Sequence, residues 1–173
     1  MKLFYLLFIG FIFSSLDMQS QDKWTKFESI IGQWNGSGMG NAGATSTVKT
    51  SFELVMNGQF IEVKNESVFK PTEKNQKGEI HTDWDLISFD KQRKVFVFRQ
   101  FHLEGFVNQY VLNETESTPT KLVFETGIIE NFIPGGKARW TIIMNEGNLV
   151  ETIFDLQMPG KEFVRYGTNT YKK

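Results

Sequence analysis

From residue 45 onward the chain changes polarity at every second residue, and the alternating stretches end at dipeptides containing glycine. Val48, Thr50, Phe52, Leu54 and Met56 share one parity, with Lys49, Ser51 and Glu53 on the other. Ile80, Thr82, Trp84 and Leu86 alternate with His81, Asp83 and Asp85. Trp140, Ile142 and Met144 share a face, as do Val150, Thr152, Phe154 and Leu156 against Glu151, Asp155 and Gln157. A period of two with one polar face marks antiparallel strands that meet water on one side. The punctuation agrees. Asn57-Gly58, Lys77-Gly78, Glu104-Gly105, Gly135-Gly136, Glu146-Gly147 and Pro159-Gly160 supply the positive φ of tight turns. Pro71, Pro119, Pro134 and Pro159 fall between strand candidates, where a missing N–H costs no ladder bond.

These signals predict about ten strands, at residues 33–39, 45–56, 59–69, 79–89, 94–103, 106–114, 121–130, 137–145, 148–157 and 163–172. Their regular spacing and short connections describe an up-and-down meander. Left open, such a sheet would expose two unpaired edges, so the expected fold is all-β, an antiparallel barrel; two packed sheets are the alternative. No repeat beyond the hairpin rhythm and no linker interrupts residues 21–173, which are expected to form a single barrel domain.

Ahead of the strands, Trp24, Phe27 and Ile31 lie three and four residues apart within Asp22–Ile31, an amphipathic helix pattern that Gly32 would stop. Earlier still, Lys2 precedes an uncharged apolar run from Leu3 to Leu16. At about 1.5 Å per residue the run reaches roughly 21 Å, short of a ~30 Å hydrocarbon core. A positive end, a short apolar middle and then Ser14, Ser15 and Ser20 describe a secretory signal peptide over residues 1–20. The expectation is therefore a secreted or periplasmic protein with no stable membrane anchor after cleavage; an uncleaved anchor is the alternative. No cysteine follows the run to carry a lipid.

Composition narrows the chemistry. Nineteen basic and 20 acidic residues leave a formal net charge of −1, which argues against a nucleic-acid partner. The chain has no cysteine, which excludes thiol catalysis, Cys-ligated zinc and iron–sulfur clusters. Two histidines and no Gly-x-Ser-x-Gly elbow leave a hydrolase triad without support. Gly36 to Gly43 lack the Lys-Ser/Thr ending and following helix of a phosphate loop, and are read as a mobile connection between strands. Asn35-Gly36-Ser37, Asn65-Glu66-Ser67 and Asn113-Glu114-Thr115 match glycosylation sequons, which bear only on a eukaryotic source.

The segment Ile31-Gly32-Gln33-Trp34-Asn35-Gly36-Ser37-Gly38, a Gly-x-Trp-x-Gly-x-Gly entry into a first strand, resembles the opening of nitrobindin-type barrels and of related lipocalin-like, fatty-acid-binding-protein-like bacterial domains. Glu53 to Ile61, Ile87-Ser88-Phe89-Asp90 with Lys94-Val95-Phe96-Val97, and Thr170-Tyr171-Lys172-Lys173 are similar to later hairpins and the last strand of the bacterial group. The resemblance implies a ten-stranded barrel with an interior cavity. It also implies that Trp34 plugs the barrel floor beside the flexible Gly32, with Arg165 stacked on its ring through a cation–π contact. Nitrobindins hold haem through a histidine on the last strand. The similar ending places Tyr166 at that position, and a tyrosinate there would need a nearby cation to lower its pKa.

Aromatic residues make up 14% of the chain, more than a domain of this size needs for packing alone. Trp34, Phe52, Trp84, Trp140, Phe154 and Tyr166 are the candidates for the cavity wall. Arg99 or His102, whichever points inward, would be a polar anchor among them. The His81-x-Asp83-x-Asp85 stripe opposes Trp84 and Leu86, so it is expected on the solvated face; alternate residues sit roughly 6.6–7 Å apart, close enough for two of them to share a metal. The function these features predict is non-catalytic binding of a small hydrophobic ligand, with no cofactor expected. The alternatives are a nitrobindin-type haem protein acting on nitric oxide or peroxynitrite, and a structural barrel without a ligand.

Overall fold

A computed structural model describes residues 23–73 and 75–173; the expected signal peptide, residues 1–20, lies outside the described residues. A short 3-10 helix (Thr25–Ile30) leads into β1 (Gly32–Gly40), followed by β2 (Thr45–Val55), β3 (Phe60–Phe69), β4 (Glu79–Asp90) and β5 (Val95–His102). The second half holds β6 (Val107–Leu112), β7 (Lys121–Glu130), β8 (Lys137–Asn145), β9 (Leu149–Gln157) and β10 (Val164–Lys172). Every strand pairs antiparallel with its chain neighbours, and β1 pairs with β10 to close the barrel. The expected architecture is the one found, and the two-sheet alternative is excluded.

Closure depends on how near β1 and β10 come. Asn35 pairs with Lys172 and Gly40 with Gly167, in unbroken register between them. At Gly36 a Cβ would lie 1.9 Å from the Thr170 carbonyl oxygen, so only a residue without a side chain lets the two backbones meet there.

The 3-10 helix plugs one end of this barrel. Three residues per turn bring Trp24, Phe27 and Ile30 onto one face, and all three are buried. This differs from the sequence pattern, which places Ile31 rather than Ile30 on that face; the tighter winding turns Ile30 inward and leaves Ile31 half-buried. Phe27 stacks edge-on against Phe96 at 5.0 Å and Trp24 at 5.8 Å. The Trp24 indole N–H donates to the Gly58 carbonyl at 2.7 Å, and the Trp34 indole N–H to the Ile30 carbonyl at 2.7 Å. Lys26 pairs with Glu114 in the β6–β7 connection. Phe52, Ile61, Ile87, Phe98, Phe124 and Ile142, all fully buried, fill the barrel above the plug.

Trp34 is thus buried in the floor, but Arg165 does not cover it. Lys173 lies over its ring, with Nζ 4.9 Å from the centroid. Arg165 sits on the outer wall, where Nε donates to Asp155 Oδ1 at 2.7 Å. The β1–β10 register runs from Asn35↔Lys172 to Gly40↔Gly167, so Trp34 lies beside Lys173 while Arg165 sits at the other end of β10, opposite Asp155. Gly32, at φ +124, makes the sharp entry from the 3-10 helix into β1.

Candidate functional site

The opposite end of the barrel is hollow. Directly opposed residues on paired strands share a face, so the registers Ile61↔Ile87 and Ile87↔Phe98 carry the core parity across β3, β4 and β5. Followed toward the open end at period two, the same parity becomes polar. On β4 it reads Asp85, Asp83, His81; on β5, Gln100, His102; on β6, Asn108; on β3, Asn65 and Ser67. Together with Thr152, Asn169 and Tyr171 from β9 and β10, these groups line a cavity of about 450 Å³. Nearer the rim its wall turns apolar, with Phe69, Phe106, Ile129, Phe132, Phe154 and Tyr166.

The polar groups form one hydrogen-bonded chain. Tyr110 donates its hydroxyl to Gln100 Oε1 at 2.5 Å and accepts from Asn108 Nδ2 at 3.0 Å. Asn108 Nδ2 also meets His102 Nε2 at 2.9 Å. The other ring nitrogen of His102, Nδ1, lies 2.7 Å from Asp83 Oδ1, and His81 Nε2 lies 3.0 Å from that same oxygen. His81 Nδ1 in turn meets Glu104 Oε1 at 2.7 Å, at the β5–β6 turn. Asn65 Nδ2 donates to Asp83 Oδ2 at 3.2 Å. Among the described residues, Asn65 Oδ1 is the buried side-chain acceptor that has no partner.

Burial and pairing set the charges. Burial alone would raise the Asp83 carboxyl, but hydrogen bonds from His102 and His81 outweigh it and hold the pKa at about 2. The hydrogen bond to Asp83, reinforced by Glu104, lifts His81 to about 9 against the opposing pull of burial. Burial, and then the charge of Asp83, push Asp85 well above the usual carboxylate range. Burial likewise raises the Tyr110 phenol, which serves as a neutral donor.

The structure sorts the residues singled out from the sequence. His102, Trp140, Phe154 and Tyr166 line the cavity. Phe52 and Trp34 are buried in the packed floor rather than in the cavity wall. Arg99 points outward, its guanidinium on Ser88 Oγ at 3.1 Å, so His102 is the inward-facing member of that pair. Trp84 is reversed: it is 55% exposed on the outer wall, where its N–H donates to Glu62 at 2.7 Å. The stripe expected to face water, His81-x-Asp83-x-Asp85, is the one that faces in. Ile87 and Phe89, on the same parity as the stripe, join the core and thereby decide the face of the whole strand.

Haem held through Tyr166 does not fit these residues. The side chain is 49% exposed at the rim, edge-on to Phe154 at 5.8 Å. The nearest cation in sequence, Arg165, is committed to Asp155 on the outer wall.

The geometry defines a closed ten-stranded antiparallel barrel, plugged at one end and hollow at the other. A solved barrel of this kind is similar: the crystal structure of Rv2717c from M. tuberculosis superposes with a TM-score of 0.63 at 12% identity, over 87% of this chain and 96% of that one. At that identity the likeness is one of fold. No family model matches the chain, and no curated protein does.

Proposed function

We propose that this chain is an exported, non-catalytic barrel that takes up a small amphipathic molecule through its open end. The observation that carries this is the cavity itself, about 450 Å³ with an apolar rim above a hydrogen-bonding interior. Pockets for small molecules are mostly apolar with a few placed polar groups that fix orientation. Here the rim rings would hold the apolar body, and Asn65, Gln100, His102 and Asn108 would receive a polar head. The charge in the interior narrows the head. Glu79, Asp83 and Glu104 face His81 and His102 around the cavity, while Asp85 is held toward its neutral form. An anionic head would be repelled by these carboxylates; a neutral or cationic one would not. Ile133, Met158 and Val164, exposed on the loops and strand start around the opening, offer an apolar approach to it. The likeness of Gly32 to Gly38 to nitrobindin-type and lipocalin-like openings agrees with a binding barrel, and the Leu3–Leu16 run with export.

The test is fluorescence titration with uncharged N-phenyl-1-naphthylamine beside a fluorescent fatty acid. We expect saturable uptake of the neutral probe, weaker uptake of the acid, and a loss of about tenfold or more in Phe154→Ala. Trp84→Ala, on the outer wall, should bind like the parent. Equal affinity in both variants, or no saturable uptake, would refute the proposal. Hemin added in parallel distinguishes the other chemistry: a Soret shift abolished by Tyr166→Phe would replace this reading with haem binding.

A further inference from the structure

We propose that His81, Asp83 and His102 form a binding site for one divalent transition-metal ion on the cavity wall. The inference goes beyond small-molecule uptake and does not depend on it. Three donors from two strands converge: His81 Nε2 and His102 Nδ1 lie 3.0 Å and 2.7 Å from the single oxygen Asp83 Oδ1. The donor atoms of all three residues lie within 4.8 Å of one another. An ion at about 2.0–2.2 Å from nitrogen and oxygen ligands sets neighbouring donors roughly 3–3.5 Å apart, so the two His–Asp hydrogen-bonding distances need widen by only a few tenths of an ångström to admit one.

The supporting contacts match what such a site needs. A ligating histidine ordinarily donates its other ring N–H to a carboxylate, which fixes the ring and strengthens the ligand. His81 does so, with Nδ1 against Glu104 at 2.7 Å. The second Asp83 oxygen is held by Asn65 at 3.2 Å, so the carboxylate is oriented as well. His102 has its remaining nitrogen against the Asn108 amide at 2.9 Å. When Nδ1 binds the ion, Nε2 carries the proton, and a half-turn of that amide presents its oxygen both to Nε2 and to the Tyr110 hydroxyl, which can donate to it in place of accepting. Asn65 Oδ1, buried and without a partner beside Asp83, is an acceptor available to a water on the ion.

Charge and donor type name the class of ion. The carboxylates of Glu79, Asp83 and Glu104 gather around the two imidazoles, a field suited to a cation. Two imidazoles with one carboxylate suit Zn²⁺, Fe²⁺ or Co²⁺, whereas Ca²⁺ and Mg²⁺ require oxygen cages. Three protein ligands leave coordination positions toward the cavity, the pattern of an open rather than a structural site.

The experiment uses tag-free, chelator-treated full-length protein and Co²⁺ as the probe, with Zn²⁺ as competitor. The expected result is one equivalent of Co²⁺ with visible ligand-field bands, abolished by Zn²⁺. Binding should weaken at least 100-fold in His102→Ala and in Asp83→Ala, and about 10–100-fold in Glu104→Gln, which removes only a supporting contact. Trp84→Ala should bind as the parent does. A second measurement needs no variant: the chain has two histidines, both in the cluster, so Zn²⁺ must shift both imidazole NMR signals together. Absence of the Co²⁺ bands at excess metal, a Zn²⁺ shift of one ring or neither, or full affinity in His102→Ala would overturn the proposal. Such a failure would leave the neutral-probe titration unaffected, so the two readings fall or stand separately.

Discussion

Replacing Phe27 with alanine tests whether the N-terminal plug is part of the barrel core or a detachable lid. The ring is fully buried and lies 5.0 Å, 5.8 Å and 6.4 Å from those of Phe96, Trp24 and Phe124. Burying a Phe side chain stabilises by about 1.5–3 kcal/mol. Aromatic pairs at these separations add about 0.5–1.5 kcal/mol each. The cavity left behind cannot collapse, because its walls are strands held in register around a closed barrel. We therefore expect a loss near the upper end of the roughly 3–5 kcal/mol known for Phe→Ala in cores. Urea unfolding followed by tryptophan fluorescence reads this directly. With a slope of about 2 kcal/mol per molar urea, the midpoint should fall by about 2 M at an unchanged slope. Ile133→Ala, at an exposed residue by the open end, should stay within about 0.5 kcal/mol of the parent. A midpoint drop below about 0.5 M in Phe27→Ala would show that the plug contributes little to the core, and the account of a barrel stoppered by its own helix would fail.

Two further outcomes follow from close approach and from buried charge. Gly36→Ala places a Cβ 1.9 Å from the Thr170 carbonyl oxygen, so β1 and β10 must separate; amide exchange should accelerate along both strands. Gly127→Ala, with nothing within 4 Å of its Cβ, should leave exchange as in the parent. Asp85 is buried with its pKa raised by burial and by Asp83, so its stabilising, neutral form is fully present below the unfolded value of about 3.9 and is lost as pH rises through the folded value. Asp85→Asn removes that dependence. Its melting temperature minus the parent's should increase as pH is raised from acid to neutral, and a difference that stays constant or decreases would contradict the raised pKa.

The fold was legible because it rests on local signals. At Asn57-Gly58 both residues adopt positive φ, as a tight hairpin connection demands, and the strands on either side stay in register from Ser46↔Phe69 to Val55↔Phe60. Carried through ten strands, such hairpins leave closure as the way to remove both edges. Trp140 and Phe154 were legible for the same reason, since the apolar parity runs unbroken through Trp140 on β8 and is interrupted on β9 by Thr152 alone.

The interior of the site was not legible, and β4 shows why. Ile80, Trp84 and Leu86 make the even parity look apolar, while Ile87 and Phe89 make the odd parity apolar over its last third. Hydrophobicity alone weighs the longer run and turns Trp84 inward. In the barrel the decision falls to Ile87, which packs between Ile61 and Phe98 with no exposure, and period two then forces Asp85, Asp83 and His81 inside with it. The signal that reveals this spans strands. Gln100 and His102 continue the parity of Phe96 and Phe98, and Asn108 that of Tyr110, so the inner face changes from apolar to polar at one height on adjacent strands. Burying such a cluster is costly unless its members pair with one another. The chain from Tyr110 through Asn108 and His102 to Asp83, His81 and Glu104 meets that condition, and the apolar plug at the other end supplies the burial that offsets what remains. Packing is therefore concentrated at one end of the barrel and chemistry at the other. Loss of Phe27 should cost stability, whereas truncations of the inner polar residues should be felt first in what the cavity binds.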